Sequence, residues 1–362
     1  MQLDHLWLAD FRSWTTAELA LGEGLTVVRG RNGTGKTNLL EAVGYLATLS
    51  SFRGAPAEAL VRHGAEQAVV RGEGRGSGRA LLVEAEVRLR GRGRVSLNRQ
   101  PVRRTSDLFD ALRVSVFSPD DLVLVKGPPV GRRRWLDDAL VSLHPRYYAL
   151  RRDFERVVRQ RTTLLGQAGG RLTPDVAITL EVWDAKLVET GEALARARAD
   201  LLTRLQPVVA KAYADLAAGA ASVNLAYDAP WREHGLAAAL IAARADEFRR
   251  GVSLVGPHRD DVLVYLGDLP ARTHASQGEQ RTLALALCLG AHSVVTEEVG
   301  EPPLLLLDDV FSELDSDRSM GLLAHLPPGQ ALLTTTGPVP AGAVPERVVV
   351  VVDGRLVEDD GT

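Results

Sequence analysis

Cysteine is almost missing from this sequence: Cys288 stands alone among 362 residues. That excludes an internal disulfide framework and any zinc site built on clustered thiolates. Lysine is nearly as scarce. Lys36, Lys126, Lys186 and Lys211 are the only four, so 39 of the 43 basic residues are arginine, a bias that genome composition explains. No apolar run approaches the roughly 20 residues that span a bilayer; Leu304 to Leu307 and Val348 to Val352 are far shorter. The opening Met1-Gln2-Leu3-Asp4-His5 carries an early acid and no apolar stretch of the kind a signal peptide needs. Net charge is also small, at -3, so the overall balance does not announce a nucleic-acid binder. What is present is ordinary: 45% hydrophobic and 25% charged residues, enough for a normal core and against wholesale disorder. The length suits two domains, or one large domain with an insertion. A soluble cytoplasmic protein with no membrane partner is the expectation.

The near-neutral total hides two opposed segments. Ser51 to Arg113 holds 13 arginines against 7 acids, a local net of +6, and Glu297 to Thr362 holds 13 acids against 3 arginines, a local net of -10. Short apolar runs predict strands at Leu3–Leu8, Leu25–Val28, Val114–Phe117, Val223–Tyr227, Leu263–Leu266, Leu304–Leu307, Ala331–Thr334 and Arg347–Val352. Residues 61 to 100 predict hairpins, with strands at Ala68–Arg71, Leu81–Leu89 and Val95–Leu97 and the Gly- and Arg-rich Gly72–Gly78 as a loop. Asn38–Leu49 has helical spacing, with Leu39, Leu40, Val43 and Leu46 on one side. Arg132–Gly166 and Val176–Ala218 form helical stretches, with Pro145 and Pro207 expected to break or kink them. The result is an α/β body split in sequence by a compact helical arm: residues 1–130 and 251–362 form the body, and 131–250 the insertion.

Gly30-Arg31-Asn32-Gly33-Thr34-Gly35-Lys36-Thr37 has the spacing of a phosphate-binding loop. Glycines let backbone N–H groups converge on phosphate oxygens, and the helix that follows offers its unpaired N–H groups and positive dipole end to the same anion. Lys36 reaches the β- and γ-phosphates, and the Thr37 hydroxyl suits Mg²⁺. The plainer reading is a glycine-rich link between strand and helix. Downstream, the run Leu304 to Leu307 ends in Asp308-Asp309, and ligands of parallel sheets bind beyond the carboxyl ends of strands. Asp308 is then the Mg²⁺ carboxylate, directly or through water, and Asp309 can orient or deprotonate an attacking water. The plainer reading makes the two acids a turn. Ser276-Gln277-Gly278-Glu279-Gln280 opens an apolar helix-like stretch and reads either as a helix cap or as a second anion-binding end.

These motifs, in this order, resemble ABC-type ATPases: Ser276 to Gln280 is similar to their signature motif, and Ser312-Glu313-Leu314-Asp315 to their D-loop. Further stretches resemble the RecF family, relatives of the SMC proteins. They are Phe11-Arg12-Ser13-Trp14, Thr37 to Ala42, Lys126 to Pro129, Arg132 to Asp137 and Gly256-Pro257-His258-Arg259-Asp260-Asp261. The resemblance spans essentially the whole chain. It implies an ABC/SMC-type ATPase head that binds ATP and Mg²⁺, with Gly30 to Thr37, Arg12, Ser276 and Gly278 on the nucleotide and Lys36, Ser276 and Asp309 catalytic. It also implies a homodimer formed on ATP binding, in which Ser276 and Gly278 of one subunit seal the nucleotide of the other. Weak DNA-dependent hydrolysis would release the clamp. Double-stranded and gapped DNA, and RecR and RecO in loading RecA, are the implied partners. Departures from the general pattern point to slow turnover. Asp309 stands where ABC proteins usually carry Glu, Gln277 replaces a signature glycine, Phe117 to Asp120 offers no glutamine switch, and Thr335 and Thr336 stand where a histidine is usual.

Three rival readings share the phosphate loop. An ABC transporter subunit has a much shorter gap than the 272 positions between Lys36 and Asp308. A long-armed chromosome organiser needs more than the roughly 120 residues between the two halves of the body. A small-molecule kinase would lack a use for Ser276. The arginines at 53, 62, 71, 75, 79, 92, 94, 99, 103 and 104 either track DNA phosphates or make a solvated face. With no aromatic residue among them, contact with a duplex backbone is favoured over stacking on single strands. Arg132 to Arg134 either face DNA or cap the insertion. His258 reads as a structural hydrogen-bonder and Cys288 as inert core.

Overall fold

The computed structural model describes residues 1–76, 78–217 and 221–359, so the end of the predicted stretch Val176–Ala218 and the last three residues of the C-terminal segment lie outside them. The chain divides into two units: Met1–Leu122, Val208–Ala221 and Ala275–Thr362 make the first, and Val123–Pro207 with Ser222–His274 the second.

The first unit holds two six-stranded sheets. One is antiparallel, with β1 (Gln2–Phe11), β2 (Trp14–Ala20), β4 (Gln67–Gly76), β5 (Arg79–Arg88), β6 (Val95–Leu97) and β7 (Gln100–Pro101) in the order β2-β1-β4-β5-β6-β7. The other runs β15-β14-β3-β13-β12-β8, from β3 (Leu25–Arg29), β8 (Val114–Phe117), β12 (Leu304–Asp308), β13 (Ala331–Thr335), β14 (Arg347–Val352) and β15 (Arg355–Glu358); only β15 pairs antiparallel. The helix Lys36–Thr48 packs against strands of both sheets and buries Leu39, Leu40, Val43 and Leu46 completely, on the face that their spacing predicts. Gln330 fastens the two sheets: its amide oxygen accepts from Leu3 N (2.8 Å), and its amide nitrogen donates to Leu3 O (2.7 Å) and Gly22 O (2.6 Å).

Gly72–Gly76 is strand rather than loop. The cause is close approach: a Cβ on Gly74 would lie 2.1 Å from the Gln2 carbonyl oxygen, and one on Gly72 within 2.9 Å of Leu3 and Leu46 side-chain carbons. These glycines let β4 pass where any side chain would collide. The helix Gln277–Val299 is long and apolar enough to cross a membrane by length and composition, yet most of that stretch is buried in the protein, including Leu283, Leu285, Leu287 and Val294. It is a core helix.

The second unit contains the helices Pro129–Leu143, Arg146–Ala168, Leu236–Arg250 and most of Pro174–Ala217, with a three-stranded antiparallel sheet of β9 (Val223–Asp228), β10 (Asp261–Leu266) and β11 (Leu269–Pro270). Pro145 separates two helices as expected, but Pro174–Ala217 runs through Pro207 as one 44-residue helix. Packing of Leu201, Leu202, Leu205 and Val209 on both sides of the proline outweighs its missing N–H. The expected edge at 250/251 falls inside this unit, because β10 pairs with β9 from Asp261↔Asp228 to Leu266↔Val223.

The stretches Arg132 to Asp137 and Gly256 to Asp261 come together here in an internal polar network. Arg132 grips Asp261 with two bonds (2.7 and 2.8 Å), and Arg133 donates to Asp260 O (2.7 Å). Arg198 grips Asp137 (2.7 and 2.8 Å) and also donates to Pro257 O (2.7 Å). Asp260 accepts from Tyr227 Oη (2.6 Å) and Trp231 Nε1 (2.7 Å). Arg132 and Arg133 are thus interior ties; only Arg134 is exposed, beside Asp138 (3.6 Å). A second knot joins fully buried Arg161 to Asp184 (2.7 Å), Glu247 (2.6 Å) and Ser253 Oγ (2.8 Å). Removing one partner from such a pair costs about 3–5 kcal/mol, since the other charge is stranded. His258 Nε2 donates to Ser253 O (3.2 Å), and burial lowers the His258 pKa to about 4, in keeping with a structural role.

Candidate functional site

The site lies at the carboxyl ends of β3, β12 and β13, where a parallel sheet leaves room for a ligand. β3 feeds Gly30 to Gly35, and the helix begins at Lys36. Gly33 (φ 80°) and Gly35 (φ 100°) adopt backbone that L side chains rarely take. A Cβ on Gly35 would also sit 2.6 Å from Ser13 Oγ, because the Phe11–Trp14 segment lies on the loop: Trp14 Nε1 donates to Gly35 O (3.1 Å), and Asn38 Nδ2 to Ser13 Oγ (2.8 Å). Lys36 is buried and donates from Nζ to Gly30 O (2.8 Å) and Arg31 O (3.0 Å). Burial lowers its pKa, opposed by the charges of Asp309 and Asp308.

Thr37 and Asp308 meet: Thr37 Oγ1 donates to Asp308 Oδ1 at 2.9 Å across 271 positions of sequence. Thr334 Oγ1 donates to the same oxygen at 2.7 Å. Burial raises the Asp308 pKa, while the hydroxyls of Thr334 and Thr37 and the charge of Arg53 pull it down. Asp309 has left-handed backbone (φ 47°), its N–H shared between Thr334 O (3.1 Å) and Thr334 Oγ1 (3.0 Å), and its Oδ1 accepts from Thr336 N (3.3 Å). Aspartate tolerates this conformation better than most residues. The loop where a histidine is usual therefore anchors Asp309 by a main-chain N–H.

Thr37 and Asp308 fit a magnesium ion: both offer hard oxygen donors, and the pair is side by side. Among the described residues no group of three or more His, Cys, Asp or Glu side chains could hold a metal. A cation here depends on phosphate oxygens and water to fill its shell, as Mg²⁺ on a nucleotide does.

Arg12 is turned elsewhere within the site. It has left-handed backbone (φ 54°), donates twice to fully buried Glu41 (2.7 and 2.6 Å) and once to Ala59 O (2.9 Å). Ser51 Oγ also donates to Glu41 (2.5 Å) and accepts from Arg53 N (3.1 Å), so Glu41 joins Arg12 to the turn that carries exposed Arg53, whose charge acts on Asp308. A cleft beside the loop is lined by Arg12, Ser13, Asn38, Ala59 and His63.

Ser276 caps its own helix. Its Oγ accepts from Glu279 N (3.3 Å) and its N–H donates to Glu279 Oε2 (2.7 Å); the Ser276 hydroxyl and N–H beside the carboxylate lower the Glu279 pKa. Gly278 lies under Arg318, whose guanidinium pairs with Asp315 (2.7 Å); a Cβ on Gly278 would be 2.5 Å from Arg318 Nη1. Among the described residues no hydrogen bond or ion pair joins Ser276–Glu279 to the phosphate loop. Phe117 to Pro119, where no glutamine switch stands, line a small apolar pocket with Arg281, Ala284 and Val310. Sequence reasoning missed Glu41, Arg53, Arg318 and Thr334 as parts of the site. Glu41, inside the stretch Thr37 to Ala42, and Thr334, a hydroxyl at a strand end beside two noted threonines, left local signals.

Comparison with known proteins accords with this geometry. The family model of the RecF/RecN/SMC N-terminal domain matches residues 2–328. The "DNA replication and repair protein RecF" of Streptomyces avermitilis is 45% identical, over 92% of this chain and 93% of its own. That of Frankia alni is 44% identical, over 97% and 98%. A solved structure of the recombination mediator protein RecF-ATP in the RecFOR pathway superposes with a TM-score of 0.90 at 27% identity, covering 99% of this chain and 97% of that one. The Smc head domain of Pyrococcus furiosus, at TM-score 0.60 and 16% identity, shares the fold. The two-sheet unit with its phosphate loop is accordingly an ABC/SMC-type ATPase head, and the chain belongs to the RecF family of SMC-like proteins.

Proposed function

We propose that this chain is an ATP-gated DNA-binding protein of recombinational repair, a slow ATPase whose dimer forms when nucleotide binds. The observation that carries the reading is the meeting of Thr37 with Asp308 at the mouth of the phosphate loop, supported by relatives named for DNA replication and repair. Residues 30–37 cradle the phosphates through main-chain N–H groups and the start of the helix. Lys36 leaves its carbonyl partners for the terminal phosphates, and Thr37 and Asp308 would hold Mg²⁺, which would supply positive charge to offset that building on the phosphates. Asp309, fixed by Thr336 N, orients the attacking water; its short side chain keeps hydrolysis slow.

Ser276 and Gly278 seal the nucleotide of a second copy. Their helix start is preassembled by the capping box and lies against Arg318, which pairs with Asp315 of the D-loop. The head formed by the phosphate-loop and signature segments closes on duplex DNA, with the helical insertion as its arm. RecR and RecO, in loading RecA at gapped DNA, are the partners that family membership supports, and the cytoplasm is its place.

The DNA contact is narrower than composition suggests. Arg62 pairs with Asp10 (2.6 Å), Arg71 lies over the Trp7 ring with Glu73 at 3.8 Å, and Arg75 sits between Glu23 (3.3 Å) and Asp4 (3.7 Å). Their charge is already balanced. Arg90, Arg92, Arg94, Arg99, Arg103 and Arg104 are exposed, have no acidic partner among the described residues, and cluster on the turns and edge around β6 and β7. Edge arginines also discourage sheet-to-sheet pairing; the salt dependence of duplex binding separates that role from contact with DNA.

The test is light scattering with and without ATP. Lys36→Ala should abolish both nucleotide binding and dimerisation, whereas Ser276→Arg should bind nucleotide as a monomer and fail to dimerise. Dimerisation of Lys36→Ala, or loss of monomer binding in Ser276→Arg, overturns the reading.

A further inference from the structure

The carboxyl end of β13 contributes a group that no motif assigns. Thr334 is wholly buried. β12 and β13 pair in parallel with Asp308 opposite Thr334, which brings the hydroxyl beside the carboxylate. Thr334 Oγ1 donates its hydrogen to Asp308 Oδ1 (2.7 Å) and accepts from Asp309 N (3.0 Å). Thr37 Oγ1 donates to the same Oδ1 (2.9 Å).

A carboxylate oxygen accepts about two hydrogen bonds. The two hydroxyls therefore engage Oδ1 fully, and Oδ2 is left as the oxygen for an ion or a water on it. Thr37, having given its hydrogen to Asp308, keeps its oxygen lone pairs for the same ion. The two threonines would divide the work: Thr37 would join the cation's own shell, and Thr334, behind Asp308, would not.

We propose that Thr334 is the positioning residue of the cation site, its hydroxyl holding the Asp308 carboxylate in the one orientation that serves Mg²⁺ bound with nucleotide. This rests on the reading of Thr37 and Asp308 as the magnesium-holding pair. The competing role is a mere fastener between β12 and β13. The strand pairing does not need that fastener, because Asp309 N also donates to the Thr334 carbonyl (3.1 Å), a main-chain bond that survives a change of side chain.

The two roles separate in a titration with a fluorescent ATP analogue, in EDTA and at rising Mg²⁺, on the full chain. Thr334→Val keeps the shape and removes the hydroxyl; Thr334→Ser keeps the hydroxyl; Thr334→Ala replaces the valine variant if that does not fold. In EDTA all should bind within about twofold of the parent chain. The Mg²⁺ concentration for half-maximal enhancement should rise about 10- to 100-fold in Thr334→Val, the usual cost of losing a group behind a metal ligand, and stay near the parent value in Thr334→Ser. A valine variant that responds to Mg²⁺ like the parent overturns the proposal. So does equal impairment of valine and serine, or a valine variant that loses binding in EDTA as well. A parent chain whose binding gains nothing from Mg²⁺ overturns the cation-site reading and this proposal with it.

Discussion

Gly278→Ala separates a packing role from an interface role at the start of the helix Gln277–Val299. The new Cβ would lie 2.5 Å from Arg318 Nη1 and 3.1 Å from Cζ, so the guanidinium must move. What holds it is the ion pair with Asp315, at 2.7 Å, whose partners are 28% and 54% exposed. A pair so open to solvent contributes about 0.2–1 kcal/mol. Against that loss, alanine is favoured over glycine in a helix by up to about 1 kcal/mol. The two nearly cancel, so stability should stay within about 1 kcal/mol, or roughly 2–4 °C in Tm. In an Arg318→Ala background the same change should be neutral or stabilising. ATP-dependent dimerisation should nevertheless fail, since the added methyl and the displaced guanidinium occupy the surface that seals the partner's nucleotide. Differential scanning calorimetry and light scattering on the same samples check both parts. A fall in Tm beyond about 8 °C would refute the steric reasoning, and intact dimerisation would remove Gly278 from the interface.

Three further outcomes are expected. Arg99→Glu with Arg103→Glu should flatten the log–log salt dependence of duplex binding by about 2, near 0.9 for each phosphate no longer neutralised, while Arg75→Glu leaves the slope alone; equal effects would dismiss the edge as the DNA-binding surface. Gln330→Ala strands Leu3 N, Leu3 O and Gly22 O and should cost about 3 kcal/mol in chemical denaturation; a loss under about 1 kcal/mol would mean the sheets hold without it. Burial raises the pKa of Asp121 to about 6, even with Ser118 N donating to it (2.7 Å). Its raised value makes the folded state favour the protonated acid. That contribution is complete below the ordinary value near 4 and is lost as pH climbs through about 6. Asp121→Asn, which imitates the protonated form, should therefore raise Tm at about pH 7.5 and change little at about pH 4; a shift independent of pH would refute the assignment.

The chemistry carried by neighbours in sequence was legible before any fold was known. A phosphate loop is contiguous by necessity, because one strand–turn–helix has to turn its own N–H groups onto one anion. Gly30 to Thr37 therefore announces itself. Asp308 could be picked out for a related reason: an apolar run ending in acids is a buried strand that surfaces at the end where ligands bind. The buried face of the Lys36–Thr48 helix, with Leu39, Leu40, Val43 and Leu46, followed from spacing alone.

Tertiary structure decided whatever depends on partners far away in the chain. Gly72 to Gly76 reads as a loop until the backbone of Gln2 is seen passing 2.1 Å from where a Cβ on Gly74 would stand. Arg132 and Arg75 are indistinguishable in sequence from Arg99, and only folding gives the first two their acids while leaving the third without one among the described residues. Arg12 finds Glu41, and Thr334 finds Asp308, through packing of separate elements. A hydrogen bond is set by position in space to within tenths of an ångström, and no local pattern of residue types encodes that position.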